Sequence, residues 1–321
     1  VTDVIETLER ETGRASVGDF HPDPSFFASL PDRFGDGVLR VGVAGIAARI
    51  EGLGPSQRTD LAARYGIFAR PAAGGSDGRP DVVIDLRRSP RPGFLVVRAG
   101  PVPETYRLLT RWDGDALIAW SYEWAACWWR GTGRAVLAAA SSDRVVFDRI
   151  VENFLRVVFA HLTLGRGGLL LHGAGLVRDG RAFVFFGPSG AGKTTVTALS
   201  PGCRVLSDDL VLIARSGPGF AASSVPFRGL ATPPATSEAL HPLAGLYRLV
   251  QAREDRLEEL SRPRAVGEVV ASLPFVSETA EAAPRILEVV SEVAAAVPVR
   301  RLHFRKDPGF WRLLAGGGGD A

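Results

Sequence analysis

Apolar positions follow two regimes along the chain. From Gly37 to about Ala140 they come in short apolar or alternating runs, at Val38–Val43, Tyr65–Phe68, Val82–Leu86 and Phe94–Val97. Pro and Gly clusters at 71–80 and 89–93 separate these runs, which predicts strands joined by turns. Ahead of them, residues 1–35 have a polar start and the turn-rich segment Asp19–Pro24, which predicts loose structure. Trp112, Trp120, Trp124, Trp128 and Trp129 crowd the end of this region. Large aromatics usually dominate cores, so core packing is favoured over an aromatic binding face. At residues 143–164 the period changes. Phe147, Ile150, Val151, Phe154, Leu155, Val158, Phe159 and Leu162 recur at helical spacing on one stripe. Asp143 is placed to cap this helix and Gly165 to stop it. His161 lies near the helix end, where a cation is favourable anyway, and reads as structural.

The second half predicts a strand at Leu169–Val177, a turn at Arg178–Arg181, and a strand at Ala182–Phe186. A glycine loop, a short helix and strands at Arg204–Leu206 and Leu210–Ala214 follow. More mixed structure leads to helices at Arg262–Leu273 and Pro284–Ala296, a strand at Val299–Phe304, a closing turn or helix from Asp307 and a flexible tail at Gly316–Ala321. The expected organisation is an N-terminal α+β domain over 1–142, a connecting helix over 143–164 and an α/β nucleotide-binding domain with a mixed sheet over 165–321.

Composition narrows the class without naming it. Apolar residues at 46% and charged residues at 23% are globular values. No apolar run approaches the length of a membrane span, and the acidic, polar Val1–Arg14 does not read as a signal peptide. Cys127 and Cys203 lie far apart, form no metal motif, and are expected as buried thiols in a reducing cytoplasm. The net charge of +3 is small and no basic run is dense enough to argue for nucleic acid.

The candidate chemistry begins at Gly187-Pro188-Ser189-Gly190-Ala191-Gly192-Lys193-Thr194-Thr195, which fits G-x-x-x-x-G-K-[ST] at every fixed position. The apolar strand before it and the helix after it are the required context. Glycines let backbone N–H groups turn toward a phosphate, and the helix start adds partial positive charge. Lys193 is then expected at the β/γ-phosphates of ATP and Thr194 on Mg²⁺. The chain has 38 Lys+Arg, yet only Lys193 and Lys306 are lysines. In so arginine-rich a chain, the compact ammonium at 193 suits a place between phosphate oxygens that a planar guanidinium does not.

Fifteen residues past Lys193, Val205-Leu206-Ser207-Asp208-Asp209 supplies a strand ending in two acids. One can hold Mg²⁺ and the other can accept a proton from an attacking hydroxyl. Alone, His172 in its apolar strand would read as a core residue. Antiparallel pairing of its strand with Ala182–Phe186 would instead carry it to the loop end of the sheet, where it could bind metal or tune a carboxylate. Arg228 is a candidate arginine finger, though a packing or surface role is favoured among so many arginines.

His172-Gly173-Ala174, the run Phe185–Thr195 and Leu206-Ser207-Asp208-Asp209 together resemble the core of the HPr kinase/phosphorylase and ATP-dependent phosphoenolpyruvate carboxykinase superfamily. The closing Leu302–Trp311 is similar to the ends of HPr-kinase-related bacterial proteins. The resemblance implies a phosphoenolpyruvate-carboxykinase-like P-loop domain at the C-terminus. It implies Asp208 as catalytic base, Asp209 as the metal-linked acid with Thr194, and His172 as the partner of the metal or the acids. Carboxykinases use a further lysine upstream of the strand histidine, and no lysine precedes Lys193, so that activity is not expected. The resulting expectation is an ATP- and Mg²⁺-dependent phosphotransferase acting on a hydroxyl of a protein Ser/Thr or a small molecule. A nucleotide-binding regulatory protein with little turnover is the alternative. Self-association as a homo-oligomer stays open.

Overall fold

A computed structural model describes residues 20–70, 79–96, 107–227, 237–276 and 280–315. Contacts divide the chain into two compact units, one built from residues up to 42, 47–65 and 69–156, the other from 43–46, 66–68 and 157 onward. The division falls inside the helix Arg144–Gly165. Asp143 caps that helix through Oδ1, which accepts from the N–H groups of Val145 and Val146 at 3.0 Å each. Among the described residues no helix is long and apolar enough to cross a membrane.

The first unit carries eight strands: β1 Gly37–Val43, β2 Ile46–Leu53, β3 Ala69–Arg70, β4 Val82–Arg88, β5 Leu109–Asp113, β6 Ala116–Trp120, β7 Trp124–Trp129 and β8 Arg134–Ala139. Their order is β3-β1-β2-β4-β8-β7-β6-β5, with β2–β4 and β4–β8 parallel and β8–β7–β6–β5 a meander. Trp120, Trp124 and Trp128 are buried, as core packing requires. Cys127 is buried with them, and loss of hydration pushes its thiol up to about 12.

Two sequence expectations fail here for local reasons. Tyr65–Phe68 is not a strand: the polar stretch Pro55–Tyr65 is a helix that buries Leu61 and Tyr65 one turn apart. Gly66 then turns left-handed at φ 54°, and Gly66–Phe68 forms a short 3₁₀ turn. Phe94–Val96 is also no strand, and Val97 lies outside the described residues. Phe94 is pinned singly, donating its N–H to Tyr122 O and accepting from Phe20 N–H, both at 2.8 Å.

The second unit is α/β with a mixed sheet. Its strands are β9 Leu169–Arg178, β10 Arg181–Phe186, β11 Arg204–Ser207, β12 Leu210–Ser216, β13 Gly219–Ser223, β14 His241–Gln251, β15 Arg256–Glu259 and β16 Val299–Phe304. The β9–β10 hairpin turns through Asp179 and Gly180 at φ 50° and 76°, the twist-matched two-residue loop. β14 pairs in parallel with β10 on one side and with β16 on the other. The chain returns to β16 through helices Arg262–Val270 and Ala283–Ala296. A core of Phe183, Phe185, Tyr247, Leu302, Phe304, Phe310 and Trp311 packs against this sheet. The 11-residue β14 lies in the stretch expected only as mixed structure. Cys203 is partly exposed, contrary to the buried thiol expected, because it sits on the turn after the helix Lys193–Ala198.

Candidate functional site

Three pieces of chain meet at one end of the β9–β10 pair. β10 stops at Phe186, and Gly187 to Gly192 form a loop that enters the helix Lys193–Ala198. Gly187, Gly190 and Gly192 have φ of 152°, 78° and 109°, backbone that side chains rarely adopt. Gly192 has a second constraint: a Cβ there would lie 2.6 Å from the Phe304 ring. Gln251, at the end of β14, donates its amide N–H to Gly190 O at 2.7 Å and ties the loop to the sheet.

Lys193 is the exceptional group. It is 9% exposed, and its ammonium donates to the carbonyls of Gly187 at 2.9 Å and Pro188 at 3.2 Å. Among the described residues no carboxylate lies within ion-pair distance of it. Burial pushes its proton affinity below the ordinary lysine range; the Asp209 charge opposes this and the Arg248 charge adds to it. Of the other loop residues, Ser189, Gly190 and Thr194 are exposed, and Ala191 and Thr195 are half-buried.

The antiparallel register of β9 with β10 sets Gly173 opposite Phe186, which carries the neighbouring His172 to the loop end. On its other side β9 pairs with β12, setting His172 opposite Leu210, next to Asp209. His172 Nδ1 lies 3.2 Å from Asp209 Oδ1, and the Asp209 carbonyl accepts from Gly173 N–H at 3.0 Å. Ser207 Oγ accepts from the N–H groups of Asp209 and Leu210 at 3.2 Å each and fixes the turn that presents both acids. Asp208 is buried and Asp209 half-buried. The structure therefore gathers His172, Asp209 and Lys193 at one end of the sheet. Arg228 lies outside the described residues.

Arg248 and Gln251 border the same loop, Glu268 pairs with Arg248, and the sequence pattern alone marks none of the three. The Leu-Tyr-Arg-Leu-Val run at 246–250 was the available strand signal. Among the described residues no group of three His, Cys, Asp or Glu side chains forms a metal cage.

No curated protein matches the chain. The family model described as SynChlorMet cassette protein ScmC matches residues 135–314, more than half of the chain. This corrects the resemblance to the HPr kinase and carboxykinase superfamily, which rested on short motifs within residues 172–209 and on a similar ending. A strand, a glycine loop and a carboxylate at the next strand end are a local arrangement that different families share, so those motifs do not fix kinship. The chain belongs to the family of the SynChlorMet cassette protein ScmC.

Proposed function

We propose that this chain binds ATP with Mg²⁺ at the glycine loop and transfers the terminal phosphoryl group to a hydroxyl acceptor. The observation that carries the proposal is the nearly buried Lys193 ammonium, bonded to two carbonyls and paired with no carboxylate among the described residues. A buried cation without an anion costs free energy in the free protein, and a phosphate oxygen supplies the missing partner. The loop fits that partner: its glycines hold a geometry that leaves the backbone open, and a Cβ at Gly190 would meet nothing within 4 Å.

Each residue then has a physical task. Lys193 and the loop amides neutralise charge on the transferring group. Thr194 and Asp209 hold the cation. The absence of a three-ligand protein cage among the described residues is compatible with Mg²⁺, which is commonly held by one or two protein groups together with phosphate oxygens and water. Asp208, at the end of β11, accepts the hydroxyl proton. His172, 3.2 Å from Asp209, orients that carboxylate. Mg·ATP supplies the phosphoryl group and an electrophilic phosphorus screened by the metal.

ADP release by the purified protein with Mg·ATP, with and without lysate from its own source and beside Lys193→Ala, tests the proposal. Release that needs lysate and Lys193, with label on a recoverable acceptor, supports a phosphotransferase. Release without acceptor indicates an ATPase. Tight Mg·ATP binding without release leaves a nucleotide-controlled regulatory protein.

A further inference from the structure

The strands β10, β14 and β16 lie side by side and parallel, and their registers align one residue on each: Phe186 opposite Arg248, and Arg248 opposite Arg301. Phe186 is the last residue before the glycine loop, so Arg248 stands at the loop's entrance. A Cβ at Gly187 would sit 2.9 Å from Arg248 Nη1, so the missing side chain at 187 is what admits the guanidinium. The same Gly187 accepts from Lys193 Nζ at 2.9 Å. Two cations thus converge on one residue of the loop.

Like charges this close repel unless an anion lies between them. Asp209 supplies a more distant charge to Lys193, and among the described residues the carboxylate paired with Arg248 is a shared one. Glu268, on the helix Arg262–Val270, accepts from Arg248 Nε at 3.0 Å through Oε2 and from Arg301 Nε at 3.1 Å through Oε1. One carboxylate therefore serves two arginines. Burial alone would raise the Glu268 carboxyl, but Arg301 and Arg248 hold it below the ordinary range, so it stays ionised as their clamp. Arg248 Nη1 also donates to Leu249 O at 2.7 Å, and Nη2 makes no hydrogen bond among the described residues. Arg248 is positioned, partly exposed and incompletely engaged.

Resting on the reading of the loop as a phosphate site, we infer that Arg248 is a second phosphate-binding cation beside Lys193 and that Glu268 is its positioning residue. The ligand chemistry is a polyphosphate chain, since two cations that both approach Gly187 suit an anion with several oxygens. The segment carrying Glu268 also reaches the acid side of the site: Ser272, just past that helix, accepts from His172 N–H at 3.0 Å through its carbonyl. Displacement of this segment would therefore disturb Arg248 and His172 together.

The test is equilibrium binding of Mg·ATP and of inorganic tripolyphosphate to wild type, Lys193→Ala, Arg248→Ala, Glu268→Gln and the double variant Arg248→Ala/Glu268→Gln. The thermal midpoint of each serves as a folding control. Arg248→Ala should weaken both probes at least about tenfold, the scale of one charge-assisted hydrogen bond. Glu268→Gln should weaken them less in the wild-type background and not at all in the Arg248→Ala background, because it acts through the arginine. If Lys193→Ala abolishes binding while Arg248→Ala binds as wild type, the inference falls and the phosphate site stands. If wild type binds neither probe, both fall. An equal loss from Glu268→Gln in both backgrounds removes its positioning role. Should Glu268→Gln fail to fold, Arg248→Ala alone decides.

Discussion

The two units treat buried charge in opposite ways. In the first, Glu152 is 4% exposed and accepts from Arg64 Nε at 2.8 Å and from Arg156 Nη2 at 2.7 Å. Asp85, 8% exposed, accepts from Arg33 Nε at 2.8 Å and from Arg87 Nε at 2.9 Å. Glu152 and Asp85 each have two guanidinium partners, while Glu123, 3% exposed, has one, Arg149 Nη2 donating to its Oε1. In the second unit Lys193 has carbonyls for hydrogen-bond partners; the Asp209 charge opposes the cost of its burial and the Arg248 charge adds to it. The Glu152 and Asp85 clusters are charge-paired within the protein; the Lys193 ammonium has no ion-pair partner among the described residues. Burial of a charge alone therefore does not single out a candidate site, whereas burial without an ion-pair partner does.

The largest expected effect breaks the charge-paired side of this comparison. Glu152→Ala strands Arg64 and Arg156 and should lower unfolding free energy by about 3 kcal/mol, read by urea denaturation, because two half-buried guanidinium groups lose the carboxylate they share. A cost under about 1 kcal/mol would show that these pairs are hydrated and the contrast unfounded. Smaller is Gly192→Ala, which forces a side chain onto φ 109° and against Phe304. It should cost about 1–3 kcal/mol and displace the loop, checked by denaturation together with Mg·ATP affinity. A variant as stable and as tightly binding as wild type would remove Phe304 as the loop's wall.

The smallest effect is one of pH. The Lys193 ammonium is held below its ordinary value of 10.5, so the unfolded chain keeps that proton more tightly than the folded one. Its cost to stability is full below the depressed value and fades as pH rises from there toward 10.5. The stability advantage of Lys193→Met over wild type should therefore narrow across that alkaline window. An advantage that is constant with pH would mean the ammonium is not destabilised by burial.

The placement of the candidate site's residues was partly legible in sequence because its parts are local. The glycine pattern, the strand before it and the acid pair follow one another within a short span, and the Asp179–Gly180 hairpin fixes where His172 lands by register alone. Arg248 and Glu268 were not legible. Arg248 reaches the loop through parallel pairing of β14 with β10, Glu268 reaches Arg248 from a helix that returns later, and nothing local marks one arginine among so many. In the first unit, Pro55–Tyr65 escaped notice because the helix buries Leu61 and Tyr65 beneath an otherwise polar surface. The motifs mislead about family for a related reason: short motifs report local chemistry, while the family match spans residues 135–314.

The most direct test of the central claim is the thermal midpoint of wild type and Lys193→Met, each with and without Mg·ATP. The unmatched cation predicts that Lys193→Met melts no lower than wild type on its own, and that Mg·ATP raises the midpoint of wild type only. A variant that melts several degrees lower, with no shift of either protein by Mg·ATP, would contradict it and make Lys193 a structural residue of the loop.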